Sequence, residues 1–301
     1  MTKSELNNLF LTTLLLLIFS NTSFGQKIEP KERITEHDHS IASKIMERDY
    51  QLYISFPSGY STKDTISYPV LYVLDGSRSF QIFNPINKRF SSIGKIKDVI
   101  VVGIGSGLDA QSWAINRYFD YTISVDTLSE RKADKKYGVP KGTVKTGGAG
   151  RFLESIKNEI VPYIDKHYKT NNDRGITGHS LGGLFTAFCL INSDGYFTRF
   201  GINSPSLYWD DDEFLNQAVT EIENKNDNKI EWNIPPTKVF ISVGELESSS
   251  MVTSMVKLST NLVDYESDKL DLEWYIFENE THRSVIPIML FKTLSVLYGK
   301  E

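Results

Sequence analysis

The sequence predicts an α/β fold in which a mostly parallel, doubly wound sheet carries helices on both faces. Two apolar runs, at residues 68–74 and 99–104, are continuous rather than alternating, which is typical of strands buried on both faces. Further short apolar strands alternate with helical patterns along the rest of the chain. The length of 301 residues, 40% of them hydrophobic, suffices for a large buried core.

The individual elements follow in a regular order. Residues 48–56 alternate polar and apolar side chains, which predicts a half-buried antiparallel strand that ends at Pro57. The two buried runs come next, and helical periodicity begins at 152–168. A short buried strand is predicted to end at 176–177, and later strands are predicted at 200–203, 238–243 and 272–277. Later helices are predicted at 184–191, 211–223, 250–265 and 285–298. Because no repeat or linker interrupts this pattern, we expect a single domain over residues 26–301.

The segment 105–150 breaks the alternation. It is polar, rich in aromatic residues and contains the run Gly147-Gly148-Ala149-Gly150. Long irregular segments inside compact domains are usually functional, so we expect this one to form a wall or lid over the site.

The amino terminus carries the pattern of a secretory signal peptide over residues 1–25. Lys3 precedes an apolar run at 9–19, and small residues at 23–25 precede Gln26. The run is shorter than the roughly 20 apolar residues that span a bilayer, although an uncleaved anchor is the alternative. The sequence therefore predicts a secreted or periplasmic protein with no stable membrane anchor after cleavage.

Charge and metal-binding residues restrict the class of function. The formal net charge of −5 gives no basic footprint, so no nucleic-acid partner is expected. Cys189 is the sole cysteine, which excludes an intrachain disulfide and suits a small core residue. The spacing of His37 and His39 suits a metal on a strand, but no third ligand is apparent. We expect neither a metal nor an organic cofactor.

The pentapeptide 178–182 reads Gly-His-Ser-Leu-Gly and lies between a predicted strand and a predicted helix. A G-x-S-x-G turn at this place exposes its serine, here Ser180, at the edge of the sheet as a nucleophile. The N–H of Leu181 and the helix dipole then favour negative charge on a reacting oxygen. The alternatives are a phosphate-binding turn and a simple connection. His179 is expected to point away from the nucleophile and to pack.

A serine nucleophile needs a base, and His282 meets the positional requirement. It follows the last strand and precedes the last helix, which is the place of the histidine in the chain order serine, acid, histidine. The acid should follow the strand 238–243, where both Glu245 and Glu247 stand. Glu247 is favoured because several residues are needed to turn inward, and Glu245 remains the alternative acid.

Two backbone N–H groups are predicted to hold the oxyanion, those of Leu181 and of Ser77, which follows the first buried strand. Arg78 is either a substrate anchor or a solvated charge. The aromatic residues of segment 113–121 suit an aromatic or sugar-like ligand, although such side chains also pack cores. The substrate-binding candidates are Arg78, Trp113, Arg117, Tyr121 and Trp209.

Several segments together resemble the putative-esterase family of α/β-hydrolases, which includes esterase D, siderophore esterases, feruloyl esterases and mycolyltransferases. The matching segments are 69–76, 117–122, 161–165, 178–183, 204–206 with Trp209, and 281–282. The resemblance covers roughly residues 40–300. It implies an α/β-hydrolase fold, a triad of Ser180, Glu247 and His282, and substrate choice by the segment 105–150. The family more often has aspartate at the acid position, which leaves Glu245 open.

These observations predict a serine ester hydrolase that works through an acyl-enzyme on Ser180. A small-molecule or glycan ester is the expected partner: a siderophore ester or lactone, a hydroxycinnamoyl or acetyl ester on a polysaccharide, or a small thioester. Acyl transfer to a sugar or another alcohol is the alternative within the same chemistry. A non-catalytic binding protein that uses the same cleft is the alternative from another class.

Overall fold

The computed structural model of the chain describes residues 38–61, 63, 65–227, 234–265 and 268–300. Eight strands in these residues form one sheet in the order β1-β2-β4-β3-β5-β6-β7-β8. The strands are β1 His39–Ser43, β2 Arg48–Ser55, β3 Tyr68–Val73, β4 Ile100–Gly105, β5 Thr170–His179, β6 Arg199–Asn203, β7 Thr237–Gly244 and β8 Leu270–Phe277. β1 and β2 run antiparallel to their neighbours, and β3 to β8 are mutually parallel. The predicted α/β-hydrolase fold is confirmed.

Helices connect the parallel strands and cover both faces of the sheet. They are α1 Gly76–Ser92, α2 Ala110–Tyr121, α3 Thr127–Tyr137, α4 Ala149–Ser155, α5 Val161–His167, α6 Leu181–Asn192, α7 Glu213–Asp227, α8 Ser249–Asp264 and α9 Ile286–Tyr298. One π-helical turn, Ile156–Ile160, joins α4 to α5. The described residues thus contain nine α-helices.

Two apolar layers enclose the sheet. On one face, Phe83 of α1 and Met289 of α9 pack against strand residues such as Leu71. On the other face, a larger cluster includes Phe152 of α4 and Leu184 of α6. Strands β3 and β4 are therefore buried from both sides, which explains why their sequences are continuous apolar runs.

Most predicted elements are confirmed, but three regions differ from expectation. The first strand, β1, was not predicted from the sequence. Helix α1 follows β3 directly and contains Pro85, which obscured its periodicity. The segment 105–150, expected to be irregular, contains helices α2 and α3. Both helices are weakly amphipathic, so polarity concealed them, although Asp109 and Asp126 cap them as helix starts.

The predicted signal peptide over residues 1–25 and His37 of the His37/His39 pair lie outside the described residues. Among the residues that are described, no helix has the length and apolar character needed to cross a membrane. Cys189 is fully buried in α6, and burial raises the pKa of its thiol, as expected for a core residue.

Candidate active site

The candidate site lies at the carboxyl edge of the parallel strands, where three connections meet. Ser180 follows β5, Glu247 follows β7, and His282 lies between β8 and α9. Ligands of open α/β sheets bind at this edge because the strand-to-helix connections converge there. The order of the three residues along the chain is the one that the sequence predicted.

Ser180 occupies a sharp turn between β5 and α6. Its backbone angles, φ of 63° and ψ of −119°, lie in a region that residues other than glycine rarely adopt. Contacts with the surrounding structure must therefore hold the turn in place. A Cβ at Gly178 would lie 2.5 Å from the backbone carbon and oxygen of Gly182. A Cβ at Gly182 would lie 3.7 Å from Oδ2 of Asp75. The turn is therefore packed against the connection that follows β3.

Gly178→Ala is expected to lower the free energy of unfolding by about 3 kcal/mol, because the backbone atoms that its Cβ meets cannot move aside. The matched control is Gly150→Ala at an exposed site of α4, where nothing lies within 4 Å of the added Cβ. Its stability is expected to stay unchanged or to rise by up to about 1 kcal/mol. Urea denaturation measures both. Equal midpoints for the two variants would contradict this account of the turn.

Glu247 and His282 are joined by a short hydrogen bond. Nδ1 of His282 lies 2.6 Å from Oε2 of Glu247, whose side chain is fully shielded from solvent. Burial alone would raise the pKa of the Glu247 carboxyl, but hydrogen bonds from His282, Ser204 and the N–H of Gly244 outweigh burial and lower it. An ionised carboxylate in this position fixes the tautomer of the imidazole and leaves Nε2 free to take a proton.

The alternative acid, Glu245, lies elsewhere. It is exposed, and its Oε2 accepts a hydrogen bond of 2.8 Å from the N–H of Asn279. This bond ties the connection after β7 to the connection that carries His282. Of the two glutamates that the sequence left open, Glu247 is the one in contact with His282.

The loop 204–206 connects the serine end of the site to its acid end. The hydroxyl of Ser204 donates to Oε1 of Glu247 at 2.6 Å. The hydroxyl of Ser206 lies 3.4 Å from that of Ser180, and its N–H donates to the carbonyl of Ser180 at 3.1 Å. Both serines are buried. The loop therefore fixes the spacing between the nucleophile and the carboxylate.

His179, next to the nucleophile, packs as predicted, and its partner is the other histidine of the site. The rings of His179 and His282 lie 4.4 Å apart between centroids with 34° between their planes. Nε2 of His179 is inaccessible to solvent, and within the described chain it has no hydrogen-bond partner.

The two predicted oxyanion donors begin helices. Leu181 is the first residue of α6, and Ser77 is the second residue of α1. N–H groups in the first turn of a helix have no internal acceptor, and the helix dipole adds positive potential there. Both N–H groups are thus suited to bind a negatively charged oxygen.

Asp75, the residue before α1, is held by one face of α2. Its carboxylate accepts hydrogen bonds from Nε1 of Trp113 at 2.8 Å and from Nε and Nη2 of Arg117 at 3.1 and 2.9 Å. Its N–H donates to the hydroxyl of Tyr121 at 3.0 Å. These residues recur every four positions, so they lie on one side of the helix. The contacts hold Asp75 at a φ of 53°, two residues before Ser77.

Arg117→Met is expected to lower kcat for p-nitrophenyl acetate by about 10- to 100-fold, because loosening Asp75 displaces the oxyanion donor that follows it. The acetyl ester is too small to need a distant anchor, so a role in substrate binding alone would leave its kcat unchanged. The control is Arg78→Met, since the exposed guanidinium of Arg78 only stacks on Trp113 at 3.9 Å. Steady-state kinetics that place both variants at the wild-type kcat would contradict the prediction.

A cleft of about 650 Å³ opens beside Ser180. Helix α3 and the end of α2 form one wall of this cleft. Both belong to the segment 105–150, which was predicted to be a wall or lid. The lining residues are Arg117, Tyr118, Asp126, Leu128, Ser129, Lys132, Lys136, Tyr137, Ser180, Leu181, Ser206, Tyr208, Trp209, Asp210 and Asp211. This volume suits a small-molecule ligand.

The five substrate-binding candidates divide between the cleft and its support. Arg117 and Trp209 line the cleft, whereas Arg78 and Trp113 stack on each other outside the lining. The assignment of Tyr121 is corrected: it is 1% exposed and supports the backbone of Asp75 from the core. An aromatic residue on a helix looks the same in sequence whether it faces a ligand or the interior.

Sequence reasoning did not identify the lysines of the cleft or Ser206 as site residues. Lys132 and Lys136 are exposed on α3, one turn apart. Nothing in the sequence distinguishes them from the other charged residues of that helix. A signal for Ser206 was present in the matching segment 204–206, but only the fold brings it to Ser180.

In the part of the chain that the structure describes, no group of three or more His, Cys, Asp or Glu side chains is arranged to hold a metal ion. His39 instead contacts two tyrosines, with Nε2 2.5 Å from the hydroxyl of Tyr168 and Nδ1 3.1 Å from that of Tyr163.

Comparison with known proteins identifies similar sequences and folds. The family model described as putative esterase matches residues 43–269. Ferri-bacillibactin esterase BesA of Bacillus subtilis is 28% identical over 266 residues, covering 84% of this chain and 86% of its own. An apo-salmochelin esterase of Escherichia coli is 27% identical over 58% of this chain and 52% of its own. The crystal structure of the BES protein from Bacillus cereus has a TM-score of 0.72 and 32% identity, covering 87% of this chain and 95% of that one.

Proposed function

The chain belongs to the putative esterase family, and we propose that it is an exported hydrolase that opens an ester or lactone bond of a siderophore through an acyl-enzyme on Ser180. The family match and the named relatives make it a serine carboxylic ester hydrolase. The siderophore is the proposed substrate because ferri-bacillibactin and apo-salmochelin esterases are among its relatives. The cleft volume of about 650 Å³ lies in the range of pockets that bind small molecules.

The observation that carries the proposed mechanism is the 2.6 Å contact between Nδ1 of His282 and the shielded carboxylate of Glu247. Nε2 of His282 takes the proton of the Ser180 hydroxyl while its Oγ attacks the ester carbonyl. The carbonyl oxygen becomes negative and binds the N–H groups of Ser77 and Leu181. His282 then gives the proton to the departing alkoxide, and the C–O bond of the ester breaks.

Water completes the cycle. Nε2 of His282, neutral again, removes a proton from a water molecule that attacks the acyl carbon of the acyl-enzyme. Collapse of the second tetrahedral intermediate breaks the bond to Oγ of Ser180, which regains its proton from His282. Glu247 remains ionised throughout, in keeping with the lowered pKa of its carboxyl.

The test of the substrate is a product-resolved comparison between cyclic siderophore lactones, iron-free and ferric, and feruloylated or acetylated glycans. We expect a gain of one water for each siderophore ester bond cleaved, with kcat/KM about 100-fold or more above that for the glycan esters. Faster cleavage of the glycan esters would reject the siderophore. The same reactions with added glycerol detect acyl transfer, since a glyceryl ester would then replace the free acid.

Export is supported by the pattern of Lys3, the apolar run 9–19 and the small residues 23–25. Cell fractionation of the natively expressed protein, followed by amino-terminal mass spectrometry, tests it. We expect a mature chain that begins at Gln26 outside the cytoplasm. A full-length chain in the cytoplasmic fraction would contradict export.

A further inference from the structure

The hydrogen bond between Glu247 and His282 does not by itself fix the orientation of the imidazole ring. A single bond at Nδ1 fixes one point of the ring but permits the ring to swing about that point. Swinging moves Nε2, the atom that must meet the Ser180 hydroxyl. Displacements of this kind reduce proton transfer because the reacting atoms must be within hydrogen-bond reach. A second contact is therefore needed to fix the plane of the ring.

His179 supplies such a contact. Its ring lies against that of His282 at 4.4 Å between centroids and with 34° between planes, a tilted arrangement in close contact. His179 ends β5, in the middle of the parallel sheet, so its own position is rigid. We propose that His179 is a positioning residue whose ring face fixes the plane of His282 and directs Nε2 toward Ser180. This inference rests on the proposed role of His282 as the base.

The charge state of His179 suits this role. Burial, followed by the positive charges of His282 and Arg117, lowers the pKa of His179 to about 3, against the opposing effects of Glu247 and Asp75. The ring of His179 is therefore neutral near pH 7. A neutral π face attracts the imidazolium that forms on His282 during the reaction, whereas a second charge would repel it.

The environment of Nε2 of His179 supports a role for the ring face rather than for its nitrogens. That atom is buried and lacks a hydrogen-bond partner among the described residues. A buried polar atom without a partner destabilises the fold, so packing alone would favour an apolar side chain here. What the ring offers to the site is its flat face, and phenylalanine would offer the same face without the unsatisfied atom.

The experiment compares His179→Leu with His179→Phe in the full-length mature enzyme, using p-nitrophenyl acetate. His179→Leu removes the flat face and is expected to lower kcat about tenfold with little change in KM. His179→Phe retains the face, so we expect kcat within about twofold of wild type.

The concentration of folded enzyme, measured by circular dichroism against wild type, corrects every kcat. A corrected kcat for His179→Leu that equals that of wild type would overturn the inference. Equal impairment of His179→Leu and His179→Phe would also overturn it, because the ring face would then not be the cause. His282→Ala distinguishes the proposed role of His282 as the base from the positioning role of His179. If that variant retains activity, the proposed function fails as well. If it is inactive while His179→Leu behaves as wild type, only the positioning role fails.

Discussion

Ser180→Ala is expected to lower kcat/KM for p-nitrophenyl acetate about a million-fold, the loss expected when a nucleophile that acts as a unit with its base is removed. His282→Ala is expected to cause a similar loss, since an unactivated hydroxyl is a weak nucleophile. The double variant should be no slower than either single variant, because each change already disables the same step. Steady-state kinetics measure all three, with the concentration of folded protein taken from circular dichroism.

Ser206→Ala is the matched control, because its hydroxyl lies only 3.4 Å from that of Ser180. We expect a loss within about tenfold, since Ser206 contributes to the spacing of the site and not to bond formation. Peptide mass spectrometry after fluorophosphonate labelling should locate the adduct on Ser180. An adduct on Ser206, or wild-type activity in Ser180→Ala, would reject the assigned nucleophile.

The second large effect is expected for Glu247→Gln. Oε1 of Glu247 accepts hydrogen bonds from the Ser204 hydroxyl and from the N–H of Gly244, at 2.6 and 2.8 Å. Glutamine keeps both bonds only by placing its amide oxygen there, which directs its NH₂ group at Nδ1 of His282. Nδ1 must then accept, the proton moves to Nε2, and the ring no longer accepts the proton of Ser180. We expect kcat to fall about 10³- to 10⁴-fold.

Glu245→Gln removes the same charge two residues away. Its carboxylate contacts the N–H of Asn279 rather than His282, so we expect kcat within about threefold of wild type. Parallel measurement of kcat for the two variants tests the assignment. A larger loss for Glu245→Gln would transfer the role of acid to Glu245.

The fold was predictable because its signals are local. Continuous apolar runs mark parallel strands such as β3 and β4, and the glycines around Ser180 mark a turn that excludes other side chains. The order of Ser180, Glu247 and His282 was predictable because the topology brings strand ends together at one edge.

The remaining features of the site depend on contacts between distant segments. The choice between Glu245 and Glu247 depends on which side chain turns inward, and two residues of separation do not settle that. The ring contact between His179 and His282 joins two residues that are distant in the sequence. The burial of Tyr121 depends on the rotation of α2, whose weak amphipathic pattern does not reveal its inner face.

The hydrogen bonds between α2 and Asp75 limit how this enzyme can acquire new substrates. One face of that helix lines the cleft through Arg117 and also holds the backbone that precedes Ser77. A substitution there that widens substrate range also disturbs the backbone before Ser77. The cleft residues Lys132 and Lys136 of α3 are exposed instead, and the helix contacts described for Asp75 come from α2. Directed evolution toward new esters should therefore accumulate its useful changes in α3 and leave α2 intact.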